Sequence, residues 1–312
     1  MADQESTTGL VIWTMGHISR ILINGVVRNV KVPGKWRLGA RGKRPIATGD
    51  FIELSIVRKE WHMDGIVPRR NEFTRRLPGF SKLFPQVIAA NLDLVVIVAS
   101  IAEPLTPFGF IDRLLVAANL GNVPTALVVN KADLAGNDQY DRWKNNYRNA
   151  VDPIIFTSAM KKQNIDVLAD MIKGRTVLFA GRSGAGKSSL ANCIDPNLDI
   201  KTREVSDVTG KGKHTTSAVK LHPTSEGGWL ADTPGLRECG PYGKTPENLP
   251  FTFPEIERIT ERCKFRDCRH KTEIGCMVTE IVGTADFPEE RYKSYLKLLS
   301  EAVEEQTPDY LK

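Results

Sequence analysis

No stretch of the 312-residue chain stays apolar for the roughly 20 residues that a membrane-spanning helix needs. The opening residues, Met1-Ala2-Asp3-Gln4-Glu5-Ser6, are polar and acidic, so the basic-then-apolar layout of a secretory leader is missing as well. These two absences predict a cytoplasmic protein with no membrane partner. Cysteine is scarce, five in all, and three of the five crowd between Cys263 and Cys276. That distribution speaks against a disulfide framework and for a metal site. With 41% apolar and 26% charged residues the composition is that of an ordinary globular chain. Its length allows a sizeable core divided over two or three domains.

Charge is unevenly spread. Residues 1–85 carry 15 Lys and Arg against 7 Asp and Glu, residues 86–245 carry 18 against 16, and residues 246–312 carry 10 against 14. The basic excess therefore sits at the N-terminal end and favours a nucleic-acid partner. The same region reads as short β runs: Leu10–Trp13, His17–Ile23, Val26–Val32, Phe51–Val57 and Gly65–Val67. Asn24-Gly25 between two of them is a hairpin signal. Five short strands in so little chain predict a small closed barrel of the OB type over residues 1–70, a frequent nucleic-acid binder. The basic, glycine-rich connection from Lys35 to Arg44 could follow a phosphate backbone, with Trp36 stacking a base or, as we read it, closing the barrel. Residues 71–85 lie in a basic stretch rich in Pro and Gly, without period, and read as a linker. From residue 86 to 245 the buried run Leu92–Ser100, the helical spacing of Phe110–Asn119 and the buried run Thr125–Val129 predict an α/β domain with a mostly parallel sheet.

Within that domain Thr176–Ala180 is a buried strand, followed at once by Gly181-Arg182-Ser183-Gly184-Ala185-Gly186-Lys187-Ser188-Ser189 and a helical run. Strand, glycine turn and helix start form the context of a phosphate-binding P-loop, whose backbone N–H groups face phosphate oxygens. Lys187 would reach the β- and γ-phosphates and Ser188 would ligate Mg²⁺. Asn130-Lys131-Ala132-Asp133 follows a strand. A carboxylate there accepts from guanine N1–H and the exocyclic amine, a donor pair that adenine lacks. Asn130 would brace the loop and the Lys131 stem would cover the base. Thr157-Ser158-Ala159 suits the loop whose N–H meets the guanine carbonyl. Asp232-Thr233-Pro234-Gly235 adds a carboxylate that holds Mg²⁺ through water and an N–H for the γ-phosphate. In the polar stretch 210–216, Thr216, with Thr215 as the second choice, is the residue expected to close on Mg²⁺. The ligands expected are thus GTP and GDP with Mg²⁺.

The guanine-reading loops precede the P-loop here, whereas in Ras-like GTPases they follow it. The set is complete but rotated, and with its flanking parts the chain resembles the RsgA/YjeQ family of circularly permuted small-ribosomal-subunit biogenesis GTPases. The resemblance implies a partner, the small ribosomal subunit and its rRNA rather than DNA, bound in the GTP state and released on hydrolysis. A monomer is expected. In residues 246–312, the zinc-binding helical domain, Cys263, Cys268, His270 and Cys276 form a Cys₃His set with the closed tetrahedral donor count of a structural Zn²⁺. Pro288–Glu305 should be a helix docking on its own domain through Tyr292, Tyr295, Leu296, Leu299 and Val303. Many Ras-like enzymes orient water with a glutamine after the Asp-x-x-Gly motif, but Leu236 stands there. His214 takes that catalytic role in our reading, alongside Lys187 and Thr216, and the resemblance supports it. The alternative is a nucleotide-gated RNA-binding module in which hydrolysis is incidental.

Overall fold

The computed structural model describes residues 6–37, 45–76, 85–200, 219–232 and 240–306. The first five strands are β1 (Thr7–Met15), β2 (Ile18–Ile23), β3 (Val26–Lys31), β4 (Phe51–Val57) and β5 (Glu60–Ile66). They pair antiparallel in the order β3-β2-β1-β4-β5. Asn24 and Gly25, both at positive φ, make the turn between β2 and β3. Val11, Ile21, Ile23, Val30, Ile52, Leu54 and Met63 point into one core. Trp36 is buried in the same core, so it seals the barrel and does not offer a face to a base.

Both ends of the stretch expected to be a linker belong to strands, while residues 77–84 lie outside the described residues. β6 (Glu72–Arg76) pairs antiparallel with β7 (Pro85–Ala90). Alternation there was hidden because Phe73 and Thr74, neighbours in sequence, are both buried at a bulge.

The central sheet runs β10-β9-β8-β11-β13-β12. Its strands are β8 (Leu94–Ser100), β9 (Thr125–Asn130), β10 (Ile154–Phe156), β11 (Thr176–Ala180), β12 (Lys220–Pro223) and β13 (Trp229–Asp232), and only β12 is antiparallel to its neighbour. β8 shows why such strands read as unbroken apolar runs. Val95, Ile97 and Ala99 face one core, under α1 (Phe108–Leu120) and α2 (Asn137–Tyr147), whereas Leu94, Val96 and Val98 face another, under α3 (Ile165–Ile172) and α4 (Lys187–Ile194).

The C-terminal region carries the short helices α5 (Pro254–Glu257) and α6 (Met277–Glu280) and the long α7 (Glu289–Gln306). Its core gathers Leu249, Phe253, Ile256, Phe287, Tyr295, Leu298 and Leu299, together with Val116 of α1. α7 docks as expected but through a shifted stripe. Arg291, Leu298 and Ala302 are buried, whereas Val303 is exposed. Arg291 explains the shift. Its guanidinium is seated between Asp112 of α1 (2.6 Å) and Glu255 of α5 (2.8 and 2.9 Å), 4.6 Å over the Phe253 ring. Burial works against its charge, but the two carboxylates outweigh that and hold it protonated.

Candidate functional site

The P-loop leaves β11 at the carboxyl edge of the parallel sheet, where ligands of open α/β sheets bind. A Cβ at Gly181 would collide with the Val98 carbonyl and one at Gly186 (φ 93°) with Asn130 Nδ2, so neither tight approach tolerates a side chain. Ala185 and Lys187 are buried and Gly186 is half-buried, while Arg182 and Ser183 are exposed at the tip. The Lys187 ammonium donates to the carbonyls of Gly181 (3.0 Å) and Arg182 (3.1 Å), curled over its own loop. A phosphate oxygen offers that ammonium a stronger, charge-assisted acceptor than either carbonyl.

Asn130 ends β9 and is buried. Its Nδ2 donates to Ala185 O (3.0 Å), and its Oδ1 accepts from Ala159 N (3.2 Å) and Thr157 Oγ1 (3.4 Å). One side chain thus ties the P-loop to the loop at 157–159. A second tie runs from Ala132 N to Thr157 O (2.9 Å). Beyond these ties Asp133 is exposed on a 3₁₀ turn over Ala132–Leu134, open to a ligand. Ser158 is buried, and its hydroxyl accepts from Lys161 N (3.0 Å). Ser188 and Ser189 lie half-buried on the first turn of α4. Asp232 is the last residue of β13, in register with Phe179 of β11. The side chain of Asp232 lies outside the described residues, as do His214, Thr216, Gly235 and Leu236.

One element escaped the sequence reading. The loop at 101–106 leaves the central strand β8 beside the P-loop, with the Pro104 ring 3.2 Å from where a Gly184 Cβ would stand. Lys131 Nζ donates to the Glu103 carbonyl. The only sequence signal was position, since this loop follows the middle strand at the ligand-binding edge.

The second site is the Cys/His cluster. The ligating atoms of Cys263, Cys268, His270 and Cys276 all lie within 4.8 Å of one another. A tetrahedral site with arms near 2.3 Å has edges of about 3.8 Å, so the four atoms need only a small contraction to hold an ion. His270 Nδ1 faces Cys263 Sγ (3.6 Å) and Cys276 Sγ (3.4 Å), while Nε2 meets Thr260 Oγ1 (3.1 Å). Thr260 therefore holds the ring in place through the nitrogen turned away from the thiols, a second partner that the motif did not predict. Burial keeps the His270 ring neutral, as a ligand must be, and pushes the Cys268 thiol up to about 12 without a cation to stabilise the thiolate. Glu273 accepts backbone N–H bonds from Arg269, Lys271 and Thr272 and shapes the loop. No described cysteine is in a disulfide.

Residues 66–241 match the sequence model of the RsgA GTPase family. The chain is 35% identical over 302 residues to the small ribosomal subunit biogenesis GTPase RsgA of Gemmatimonas aurantiaca, covering 96% of this chain and 98% of that one. It is also 35% identical over 303 residues to the protein of the same name from Bacteroides fragilis, with 95% and 97% covered. Two solved structures are similar throughout. YjeQ from Thermotoga maritima gives a TM-score of 0.73 at 28% identity, covering 96% of this chain and 99% of that one. YloQ, a circularly permuted GTPase, gives 0.71 at 26%, covering 99% of each. The likeness thus takes in the barrel and the Cys/His region as well as the nucleotide elements. With the loops at 130–133 and 157–159 tied to the P-loop that follows them in the chain, and with these matches, the chain belongs to the RsgA GTPase family and is a GTP hydrolase.

Proposed function

We propose that this GTPase acts in late assembly of the small ribosomal subunit. In its GTP state it binds subunit rRNA, the subunit stimulates hydrolysis, and hydrolysis releases it. The observation that carries the nucleotide half is the Asn130 bridge between the P-loop and the 157–159 loop. It sets the phosphate and guanine elements at one edge, where Asp133 selects guanine. The subunit half is supported by the names of the relatives and by the basic excess of residues 1–85. Residues 1–70 then form the RNA-contacting barrel, 86–245 the GTPase domain and 246–312 a zinc domain that adds a second contact.

The donor sets suit the ions. Ser188, Thr216 and Asp232 are hard oxygen donors that would hold Mg²⁺, which offsets phosphate charge when bound. The three thiols and one imidazole suit a structural Zn²⁺ with no open position. The chain's own part in hydrolysis is to grip the phosphates with Lys187 and the P-loop amides, and to orient water through His214. With neither glutamine nor arginine finger, basal turnover should fall between about 10⁻⁴ s⁻¹ and a hundredfold more.

The deciding experiment is GTP turnover by the purified chain alone, with saturating small subunits and with large subunits. A rise of about tenfold or more, roughly 1.4 kcal/mol off the barrier, with small subunits only is the expected result. GTP-dependent subunit binding without a rise would instead favour a nucleotide-gated binding module, the reading that Leu236 leaves open. Neither stimulation nor binding would end the ribosomal reading.

A further inference from the structure

The barrel is not merely tethered to the GTPase domain; its first strand extends the nucleotide sheet. β1 pairs with β12 at Trp13 and Lys220, Lys220 pairs with Asp232 on β13, and Asp232 pairs with Phe179 on β11. One cross-strand row therefore runs from the barrel to the carboxylate-bearing end of β13 and the strand that launches the P-loop. β1 can serve both bodies because a bulge falls between Val11 and Trp13. Val11 fills the barrel core, while Ile12 is buried in the core under α1 and α2.

A single β pair is a slender joint, and a turn of the barrel reinforces it. Thr48, 2% exposed, donates its hydroxyl to the Val219 carbonyl (2.9 Å), immediately before β12. The turn is held from three further sides. Gly49 N donates to Val11 O (2.8 Å), Ala90 N donates to Thr48 O (2.9 Å), and Asn91 Nδ2 donates to Gly49 O (2.9 Å). Arg69, buried against Asp50 at 2.7 Å, locks the end of the turn. A hydroxyl placed this firmly fixes where β12 starts, and β12 fixes the edge on which β13 lies.

We propose that Thr48 is a positioning residue for the GTPase site. Through Val219 and β12 it sets the backbone position of Asp232 at the end of β13, next to the strand that launches the P-loop, and so the strength with which Mg²⁺ supports nucleotide binding. The inference deepens the nucleotide-site reading, resting on Asp232 as a Mg²⁺-side carboxylate, and needs nothing from the ribosomal one. An error of an ångström in such a group is felt strongly because the bound geometry is demanding.

The test is affinity for a fluorescent, non-hydrolysable GTP analogue, titrated with Mg²⁺ on the full chain. Asp232→Ala first tests the underlying reading. It should abolish most of the Mg²⁺-dependent tightening, and unchanged tightening would refute the role of Asp232 and with it this inference. Thr48→Val, which swaps the hydroxyl for a methyl, should raise the half-saturating Mg²⁺ at least threefold while leaving the Mg²⁺-free affinity within twofold. Thr48→Ser should return it to the wild-type value. Ile21→Val loosens the barrel core without touching β12 and should leave the Mg²⁺ midpoint unchanged. If Asp232→Ala responds but Thr48→Val has a wild-type midpoint, or if Ile21→Val shifts it equally, Thr48 does not position the site.

Discussion

Replacing Arg291 by methionine removes the cation from a cluster in which Arg291, Asp112 and Glu255 are all at most 1% exposed at their side chains. Methionine keeps much of the apolar volume, so the loss is electrostatic more than cavity formation. Breaking a buried ion pair costs about 3–5 kcal/mol because the partner charge is stranded. The guanidinium over Phe253 adds about 1 kcal/mol more, giving an expected loss of about 4–6 kcal/mol. The damage should appear in the docking of α7 and the zinc region, read as urea unfolding and as protease cutting within 246–306, with the GDP affinity of the central sheet less affected. Arg291→Lys should recover less than half, since an ammonium cannot bridge both carboxylates in the guanidinium's fork geometry. The triple variant Arg291→Met, Asp112→Asn, Glu255→Gln should be more stable than Arg291→Met alone, because no charge is left stranded. The pH dependence gives an independent check. Burial already raises the Asp112 carboxyl, and removing the arginine takes away the charge that opposes this. A carboxyl raised in the folded state favours folding at low pH and loses that contribution as pH climbs through its folded value. The Arg291→Met deficit should therefore be smaller at pH 5 than at pH 8. A deficit under about 1 kcal/mol, far below a broken buried pair, or one equal at both pH values, would refute the reasoning. The exposed pair Lys293–Glu289, 60% and 65% exposed, is the contrast, and Lys293→Ala should leave the unfolding midpoint unchanged.

Lys187→Ala should weaken GDP binding at least tenfold, about 1.4 kcal/mol, measured by isothermal titration; unchanged affinity would remove the P-loop reading. Asp133→Asn should cut the preference for GTP over ATP at least tenfold in competition binding, and a variant still strictly selective would clear Asp133 of that role. Zinc should be found at one per chain by metal analysis and be lost in Cys276→Ser. Because thiols and imidazole bind deprotonated, it should also be released as pH falls, with the C-terminal fold following it. His214→Ala should abolish subunit-stimulated turnover while leaving nucleotide affinity intact; full stimulation would end its assignment as the water-orienting group.

The nucleotide elements were readable in the sequence because each is a local device. A P-loop needs its glycines, lysine and serine within eight consecutive residues, and Asn130 to Asp133 needs four. The Cys/His cluster was readable for the same reason, its four donors spanning Cys263 to Cys276. The α/β class followed from strands such as β8, whose two buried faces leave an unbroken apolar run. What the sequence hid were contacts that no period or motif encodes. Arg291 looks like any surface arginine of a charged helix, yet its partner Asp112 lies 179 residues away. Thr48 reads as an ordinary turn residue, but its hydroxyl meets a carbonyl 171 residues on. The strand β6 at the start of the expected linker stayed hidden because a bulge broke its alternation, whereas Trp36 was legible as the residue that closes the barrel. Local chemistry decided what this protein can bind. Tertiary packing alone decided how the barrel, the nucleotide sheet and the C-terminal helices are joined, because polar groups buried between them must find partners wherever the chain brings them together.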